Sequence, residues 1–284
     1  MMKYIYTNAY GDSIEFNRDS PFHITNVEGQ STNEVSLSDT YTMNQIGSTV
    51  SGRRVEPKEI TVEGNFRDSF QNRSKILNTI IPGPGKLRYI DDDIDVYLDV
   101  EVTQTPDFEP KDKVYKLFDF ELYAPFPYWK GQKKIDVEFT TFTPLFKFPR
   151  SFSNTVPWKI AEKKVKQIRT IFNESSFDSG FYLKMEAKAD VQNPEILNIE
   201  TQEKIKFLGF TMSPNDLIEV STFENDKFVK LYRDGQEINI YNKMSDDSTF
   251  FKLKKGKNVI RFGADTNVEN LIVSLSYEDI YMGV

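Results

Sequence analysis

The sequence contains no cysteine and only one histidine among its 284 residues. Without thiols, the chain forms no disulfide, no thiolate metal site and no cysteine nucleophile. A catalytic triad of the histidine type has only one available base, His23, which stands in a segment without a catalytic signature. Zinc enzymes need several nitrogen or sulfur ligands, so that class is excluded as well. We therefore expect no catalytic residues, no metal and no other cofactor.

Excess positive charge is also missing. The chain has 36 Lys and Arg residues against 43 Asp and Glu residues, which gives a formal net charge of −7. Affinity for nucleic acid comes largely from the neutralisation of phosphates by basic side chains, so a sequence-reading DNA or RNA protein is not expected. An acidic surface lets a nucleic acid slide past without holding it.

Long apolar runs are absent too. No run approaches the roughly 18 residues that a membrane span needs. The first residues turn polar too early for the apolar stretch of a signal peptide. We expect a protein that is made in a cytoplasm, is not exported by a cleaved signal and does not insert into a membrane.

Period-two alternation dominates the first half. Ile60, Val62 and Phe66 share one face of a predicted strand, and residues 94–102 place five aliphatic side chains on one face. The many aromatic residues, 23 Phe and 14 Tyr, also favour strands. Residues 91–93, three aspartates between two such runs, predict a hairpin with a tight acidic turn.

One segment has helical spacing instead. Between residues 68 and 81, the apolar residues Phe70, Ile76, Leu77, Ile80 and Ile81 have helical spacing, which predicts a helix of three to four turns. Asp68 or Ser69 can cap its start by accepting from free backbone N–H groups. The Pro-Gly-Pro-Gly sequence at residues 82–85 ends it.

The second half predicts many short strands with turn signals between them, as in a sandwich or jelly roll. A proline-rich, aromatic junction at residues 124–157 suggests a boundary near residue 150, hence domains at residues 1–150 and 151–284. The predicted strands are residues 181–185, 196–199, 205–210, 217–223, 228–232, 238–241, 250–253, 258–262 and 271–277, with one short helical turn near residues 161–166.

Several constellations leave alternatives open. Clustered carboxylates at residues 91–99 can supply the oxygen ligands of calcium, but the EF-hand spacing is absent, and a hairpin turn followed by a solvated strand face explains every one of them. Any two of the 43 acids could form a glycosidase pair, but none stands out. Six aromatic side chains could stack on a sugar, but packing is the simpler explanation for them. They are Phe126, Tyr128, Trp129, Trp158, Tyr232 and Tyr241.

Arg53 and Arg54 precede a predicted strand and follow a stretch with few core residues. Taken alone, they are an ordinary solvated pair. Arginine nevertheless suits bidentate pairing across interfaces, so we consider both residues candidate inter-subunit contacts. Residues 31–51 are rich in Ser, Thr and Asn, and we predict that they form an arm or belt hairpin that orders against a neighbouring subunit.

The motifs of the first half, taken in order, resemble the distal tail protein (Dit) family of siphophages that infect Gram-positive bacteria. The most specific piece is the Pro-Tyr-Trp element at residues 127–129, which follows a strand. The other matching pieces are residues 52–57, 60–66, 73–78, 82–85, 86–89, the long strand to Val102, residues 118–122, residues 124–126 and the closing residues 281–284.

The resemblance implies a mainly β fold: an N-terminal ring-forming β-domain with one α-helix, then a C-terminal galectin-like or jelly-roll β-sandwich. It implies a non-enzymatic baseplate hub, a homo-hexamer at the tail tip of the virion that is assembled in the host cytoplasm. The implied partners are the major tail tube protein on one side, a tail-associated fibre or lysin protein on the other, and a receptor-binding protein outside. DNA would pass through the central channel without specific binding.

Two competing functions remain at this stage. One is a carbohydrate-binding, lectin-like protein of the phage adsorption apparatus, with the second module as the lectin. The other is a carbohydrate-active enzyme of the cell wall that uses two carboxylates. The second half has no cluster of His, Asn, Arg and Trp at galectin-like spacing, so a docking or spacing role is the favoured interpretation for it.

Overall fold

The structure, a computed structural model, describes residues 2–112, 114–144 and 161–284. The chain separates into two compact units. The first unit comprises Met1–Lys133 and Ile280–Val284, and the second comprises Lys134–Asp279. The predicted boundary near residue 150 lies outside the described residues, and the predicted domain limits stay a prediction.

The first unit is built from antiparallel strands and one helix. The elements that begin in it are β1 Lys3–Asn8, β2 Ser13–Phe16, β3 Phe22–Glu28, β4 Val35–Thr40, β5 Thr49–Val55, β6 Lys58–Arg67, α1 Phe70–Thr79, β7 Gly83–Asp91, β8 Ile94–Pro110, β9 Tyr115–Ala124 and β10 Trp129–Glu138.

Strand β8 organises the sheet of the first unit. One edge pairs with β7 along its first half, and the opposite edge pairs with β10 at Val96 and Tyr97 and with β9 from Glu101 onward. The pairing continues outward from β7 to β1 and β2, and from β9 to β6 and β3. Register shifts beyond Val102 interrupt the β8–β9 ladder, and such bulges bend a strand.

The predicted helix and acidic hairpin turn are both present. Ser69, one of the two predicted caps, accepts a hydrogen bond from the Asn72 N–H at 3.1 Å. Asp68 instead accepts from the Arg73 Nε at 2.6 Å. In the β7–β8 hairpin, Asp91 pairs with Ile94, so the turn consists of two residues, and Asp92 takes the positive φ of 37° that the turn requires.

Aromatic residues fill the core of the first unit. Phe16 lies 5.8 Å from Phe118 and 6.1 Å from Phe120, measured between ring centroids, and all three rings are buried. Each fully buried side chain of this kind contributes about 1.5–3 kcal/mol by leaving water. The inward residues of β6 and β9 alternate with outward polar ones, which confirms the period-two prediction for these strands.

The second unit contains only strands and two single-turn 3₁₀ segments among its described residues. Its strands are β11 Thr140–Pro144, β12 Ala161–Val165, β13 Ile168–Asn173, β14 Phe181–Ala187, β15 Val191–Gln192, β16 Glu195–Asn198, β17 Lys204–Lys206, β18 Thr211–Met212, β19 Leu217–Ser221, β20 Phe228–Arg233, β21 Gln236–Asn239, β22 Gly256–Gly263 and β23 Leu271–Tyr281.

Two sheets enclose the core of the second unit. One has the order β23-β14-β19-β20-β21, and the other has the order β13-β22-β16-β17. Leu183 and Val220 from the first sheet and Ile260 and Phe262 from the second belong to one buried cluster. The predicted fold class, mainly β with a single helix in the first half and a sandwich in the second, is confirmed.

Three local predictions in the second half are wrong. Residues 161–165 form strand β12 rather than a helical turn, because pairing with β11 outweighs local preference. Residues 250–253 form no strand; Leu253 makes only an isolated bridge with Ser179. The predicted strand at residues 205–210 ends early, and Gly209 follows with a φ of +60°, which breaks an extended conformation.

Candidate assembly surfaces

A two-stranded hairpin leaves the first unit between β3 and β6. We call residues 34–56 the arm. Its strands β4 and β5 pair with each other and with no other strand among the described residues. Every residue of β4 is exposed, and only Gly52 of β5 is half-buried. The hairpin predicted from residues 31–51 is therefore present, and no described part of the chain covers it.

The arm has one apolar side. The register places Val35 opposite Val55 and Leu37 opposite Arg53, so these four side chains share a face. Ser36 and Arg54 lie opposite each other on the other face. Val35 and Leu37 are 52% and 58% exposed. The tip adds Tyr41, Met43 and Ile46, which are exposed as well. A hairpin with an uncovered apolar face is typical of a segment that docks on another protein surface.

Strand geometry separates the two predicted contact residues. Arg53 and Arg54 are neighbours on β5, so their side chains lie on opposite faces of the arm. Arg53 belongs to the apolar face, whereas the Arg54 Nε lies 3.4 Å from Oε2 of Glu56. The sequence does not show this division, because it requires the register of β4 against β5. Their role as inter-subunit contacts stays a prediction.

The segment between β3 and the arm is held by the core. We call residues 29–33 the root of the arm. The carbonyl oxygen of Gln30 accepts hydrogen bonds from Trp129 Nε1 and Lys58 Nζ, each at 2.9 Å. The side-chain oxygen of Gln30 accepts from the hydroxyl of Tyr4. Three side chains of the sheet thus converge on one residue of the root.

Lys58 is unusual because it is a buried lysine, 3% exposed. Burial lowers the pKa of its ammonium group to about 8, since desolvation disfavours the charged form. No acidic partner lies within ion-pair distance among the described residues, and its hydrogen bonds run to backbone carbonyl oxygens. A buried lysine without a counter-charge costs stability, and here the two backbone carbonyl oxygens supply its hydrogen bonds instead.

A second surface is formed by the outward side of β3, β6, β9 and the second half of β8. We call it the acidic face. Glu63 lies opposite Asp119, and Asp119 lies opposite Asp107 on the next strand. Like charges directly opposite each other destabilise a sheet. The carboxylates of the acidic face are Glu28, Glu59, Glu63, Glu101, Asp107, Glu109, Asp119 and Glu121.

The acidic face carries almost no compensating positive charge. In the register of these four strands, the basic residues on this side are Arg67, opposite Tyr115 at one end, and the half-buried His23, opposite Asn65. None of the eight carboxylates forms an ion pair with another described residue. Asp119 accepts from the Gln104 amide at 2.7 Å, and Glu63 accepts from the Asn26 amide at 3.4 Å. The sequence does not show this surface, because its acids come from four separated segments.

The aromatic residues considered for sugar stacking are used in other ways. Trp129 is completely buried in the first core, with its ring centroid 6.3 Å from that of Tyr89. Phe126 and Tyr128 pack edge to face at 5.4 Å. In the second unit, Tyr241 stacks on Phe250, and the hydroxyl of Tyr232 donates to Glu237 at 3.1 Å. Trp158 lies outside the described residues.

The remaining candidates for chemistry have structural explanations. His23 is half-buried, and its Nδ1 lies 3.2 Å from the carbonyl oxygen of Asn17. From the acidic cluster, Asp95 pairs with Arg88 and Asp99 pairs with Lys130. In the described ranges, no three His, Asp or Glu side chains are grouped as metal ligands. None of the helices within those ranges has the length and apolar character to cross a bilayer.

Part of the second unit is similar in sequence to a family of phage tail components. Residues 174–281 match the sequence model of a family described as "Siphovirus-type tail component, C-terminal domain". The predicted resemblance to the distal tail protein family is confirmed. The matched residues lie in the second half, whereas the motifs that predicted the resemblance lie mainly in the first.

Solved structures show the same fold over the whole chain. The SPP1 Dit protein, reported as a paradigm of the hub adsorption apparatus in phages infecting Gram-positive bacteria, aligns with a TM-score of 0.67 at 10% identity, covering 99% of both chains. Chains of the phage P2 baseplate in its activated conformation, with calcium or with strontium, align with a TM-score of 0.54 at 12% identity, covering 100% of both chains. No curated protein sequence matches significantly.

These similarities support a structural role in a phage tail or baseplate. The family is described as one of tail components, and at these identities the solved structures establish the fold alone. Within a distal tail fold, the arm and the acidic face are two surfaces of the first unit that the packing of its described residues does not explain.

Proposed function

We propose that the chain is a non-enzymatic hub protein of a siphophage tail tip, which closes into a hexameric ring through its arms. The arm carries the proposal: it is a hairpin with an exposed apolar face that no described residue of its own chain covers. In a ring, one face of each subunit meets a different face of the next, and an extended arm supplies such a heterologous contact. We assign Arg53 to the buried side of that contact because it shares the apolar face.

The ring would join the major tail tube protein on one side to a tail-associated fibre or lysin protein on the other. The second unit, with its closed core and solvated strand faces, would dock a receptor-binding protein on the outside. Similarity to the tail component family and to the SPP1 and P2 structures supports these partners by analogy.

Native mass spectrometry tests the arm. We expect a six-subunit mass for the full chain and loss of that mass when residues 38–49 are deleted. Reversing the charge of both arginines with R53E and R54E should also weaken the ring. The control is K227E with K243E, which changes the same charge at exposed positions of the second unit. Rings of unchanged mass in the deletion variant would refute the role of the arm.

The acidic face is our candidate for the wall of the channel. A surface of unpaired carboxylates repels the phosphates of DNA, so a genome would pass without being held. This use also accounts for the retention of Glu63, Asp119 and Asp107 opposite one another despite their repulsion. Both an acidic wall and the absence of a basic domain favour the passage of DNA without binding.

Spin labelling tests the channel wall. Because the chain has no cysteine, a single Cys can be introduced and labelled without side reactions. In a six-fold ring, the shortest distance between identical labels equals the distance of the label from the axis. We expect this distance to be shorter for labels at Glu63 and Glu121 than for a label at Asp12, on the exposed β1–β2 turn. The reverse order would remove the acidic face from the channel.

A further inference from the structure

The closing residues of the chain lie on the root of the arm. We call residues 281–284 the clamp. The hydroxyl of Ser31 donates to the carbonyl oxygen of Val284 at 2.6 Å, and the side-chain amide of Asn33 donates to the carbonyl oxygen of Met282 at 2.8 Å. Both residues belong to the root, and Asn33 directly precedes the arm. Two hydrogen bonds therefore join the clamp to the last residues of the root.

The backbones of the clamp and the root are also in close contact. A Cβ atom added to Gly283 would lie 2.7 Å from Cα of Ser31 and 2.9 Å from its carbonyl oxygen. Both are backbone atoms, which cannot move aside as the end of a flexible side chain can. Val284 packs against the core of the first unit. Glycine is required at residue 283 because the two backbones touch.

Lys58 connects the clamp to the other side of the root. Its Nζ donates to the carbonyl oxygen of Gln30 at 2.9 Å and to that of Met282 at 3.3 Å. The root is thereby held between the sheet, through Trp129 and Lys58, and the clamp. A lysine that satisfies two backbone carbonyls at once fixes their separation, which explains why it is buried without a counter-charge.

Beyond the root, the described part of the chain gives the arm little support. The N–H of Glu56 donates to the carbonyl oxygen of Glu34 at 2.9 Å, which closes the base of the hairpin on itself. Strands β4 and β5 pair only with each other among the described strands. The direction of the arm is consequently set where it is anchored, at the root.

We propose that the clamp is a positioning segment that fixes the direction of the arm, with Lys58 as the positioning residue that ties clamp and root together. A displacement of the root swings the tip through a larger distance, because the arm acts as a lever. The consequence for ring assembly rests on the proposed function, whereas the ordering of the arm does not.

The experiment measures the spread of arm directions. Spin labels at Ile46, on the tip, and at Thr61, in the middle of β6, report one distance by pulsed electron paramagnetic resonance. Labelled chain is mixed with excess unlabelled chain, so that distances between subunits do not contribute. The variants are Gly283→Ala, whose added Cβ clashes with the backbone of Ser31, and Asn33→Ala, which removes a hydrogen bond and adds no atom to the contact.

We expect a narrow distance distribution for the parent chain, a distribution about twofold broader for Gly283→Ala, and an intermediate width for Asn33→Ala. The matched control is Gly263→Ala, whose added Cβ meets only the flexible carboxylate of Glu195, at 3.1 Å. It should leave the width unchanged. Circular dichroism on the same samples verifies that each variant is folded.

Superimposable distributions for Gly283→Ala, Asn33→Ala and the parent chain would overturn the proposal. Should Gly283→Ala fail to fold, the result for Asn33→Ala decides. Native mass spectrometry of the same samples separates the two questions. A parent chain that forms no ring but shows the expected change in width contradicts the proposed hexamer and supports the clamp. A ring that forms equally well with equal widths in all variants contradicts the clamp alone.

Discussion

Two hairpins of the first unit show what distinguishes a core strand from an assembly strand. Both β7–β8 and β4–β5 are antiparallel and carry aliphatic residues opposite each other, Leu87 with Leu98 in one and Val35 with Val55 in the other. Leu87 and Leu98 are completely buried, whereas Val35 is 52% exposed. The β7–β8 hairpin has neighbouring strands on both edges, and the arm has none among the described residues. Similar cross-strand aliphatic pairs are therefore buried in one hairpin and exposed in the other, where no described residue of the chain covers them.

Truncation of one leucine in each hairpin is the sharpest test of this comparison. Leu98→Ala removes a fully buried side chain, so we expect the free energy of unfolding of the first unit to fall by about 2–5 kcal/mol. Leu37→Ala, on the exposed arm, should change it by no more than about 0.5 kcal/mol. Differential scanning calorimetry under conditions that keep the protein monomeric measures both. Equal losses would mean that the arm is part of the folded core.

We expect substitutions on the apolar face of the arm to affect ring assembly strongly, although they barely affect the free energy of unfolding. Leu37→Asp places a charge on the apolar face of the arm, and we expect it to abolish the ring because the charge would be buried without a partner. Ser36→Asp makes the same change one residue away on the polar face and should leave the ring intact. Sedimentation velocity compares the two variants. A ring that tolerates Leu37→Asp but not Ser36→Asp would show that the polar face makes the contact.

The stability of the first unit should depend on pH through Lys58, the lysine that holds the root of the arm. Burial lowers the pKa of Lys58 to about 8 from its ordinary value of 10.5, so the unfolded chain binds more protons between these values. The stability of the first unit therefore gains a contribution that increases as pH rises from about 8 towards 10. Buried tyrosines have the opposite effect on stability, but only above their ordinary pKa of 10.0. Desolvation raises the pKa of Tyr6 to about 12, so above pH 10 the folded chain binds more protons than the unfolded chain.

Lys58→Met isolates this contribution. Thermal unfolding midpoints between about pH 8 and pH 10 should rise for the parent chain relative to the variant. Lys3→Met, at a half-exposed lysine paired with Glu15, is the control and should keep the parent slope. Parallel slopes for the parent chain and Lys58→Met would show that Lys58 is not desolvated in the folded protein.

The smallest expected effect concerns the acidic face. Asp119→Asn removes a charge that lies opposite both Glu63 and Asp107, so we expect a gain of about 0.5 kcal/mol in the free energy of unfolding. The gain should shrink at high salt, which screens exposed charges. Asp226→Asn, at an exposed residue of the second unit, serves as a reference. A loss of stability would indicate that the charge-assisted hydrogen bond from Gln104 outweighs the repulsion from Glu63 and Asp107.

The sequence by itself determined the local elements of this protein. Ser69 and the Pro-Gly-Pro-Gly stop delimit the helix, Asp92 and Asp93 form the turn of β7–β8, and alternation identifies β6 and β9. These features depend on residues close together in the chain, where backbone preference and periodicity act. The polar composition of residues 31–51 likewise indicated a segment that leaves the core.

Only the tertiary structure decided which distant residues meet. Strand register assigned Arg53 and Arg54 to opposite faces and brought the acids of four strands to one surface. Chain folding placed Gly283 against Ser31 and buried Lys58 between the two backbones. Periodicity identifies the side of a strand that faces inward, but pairing partners are chosen by the packing of the whole unit.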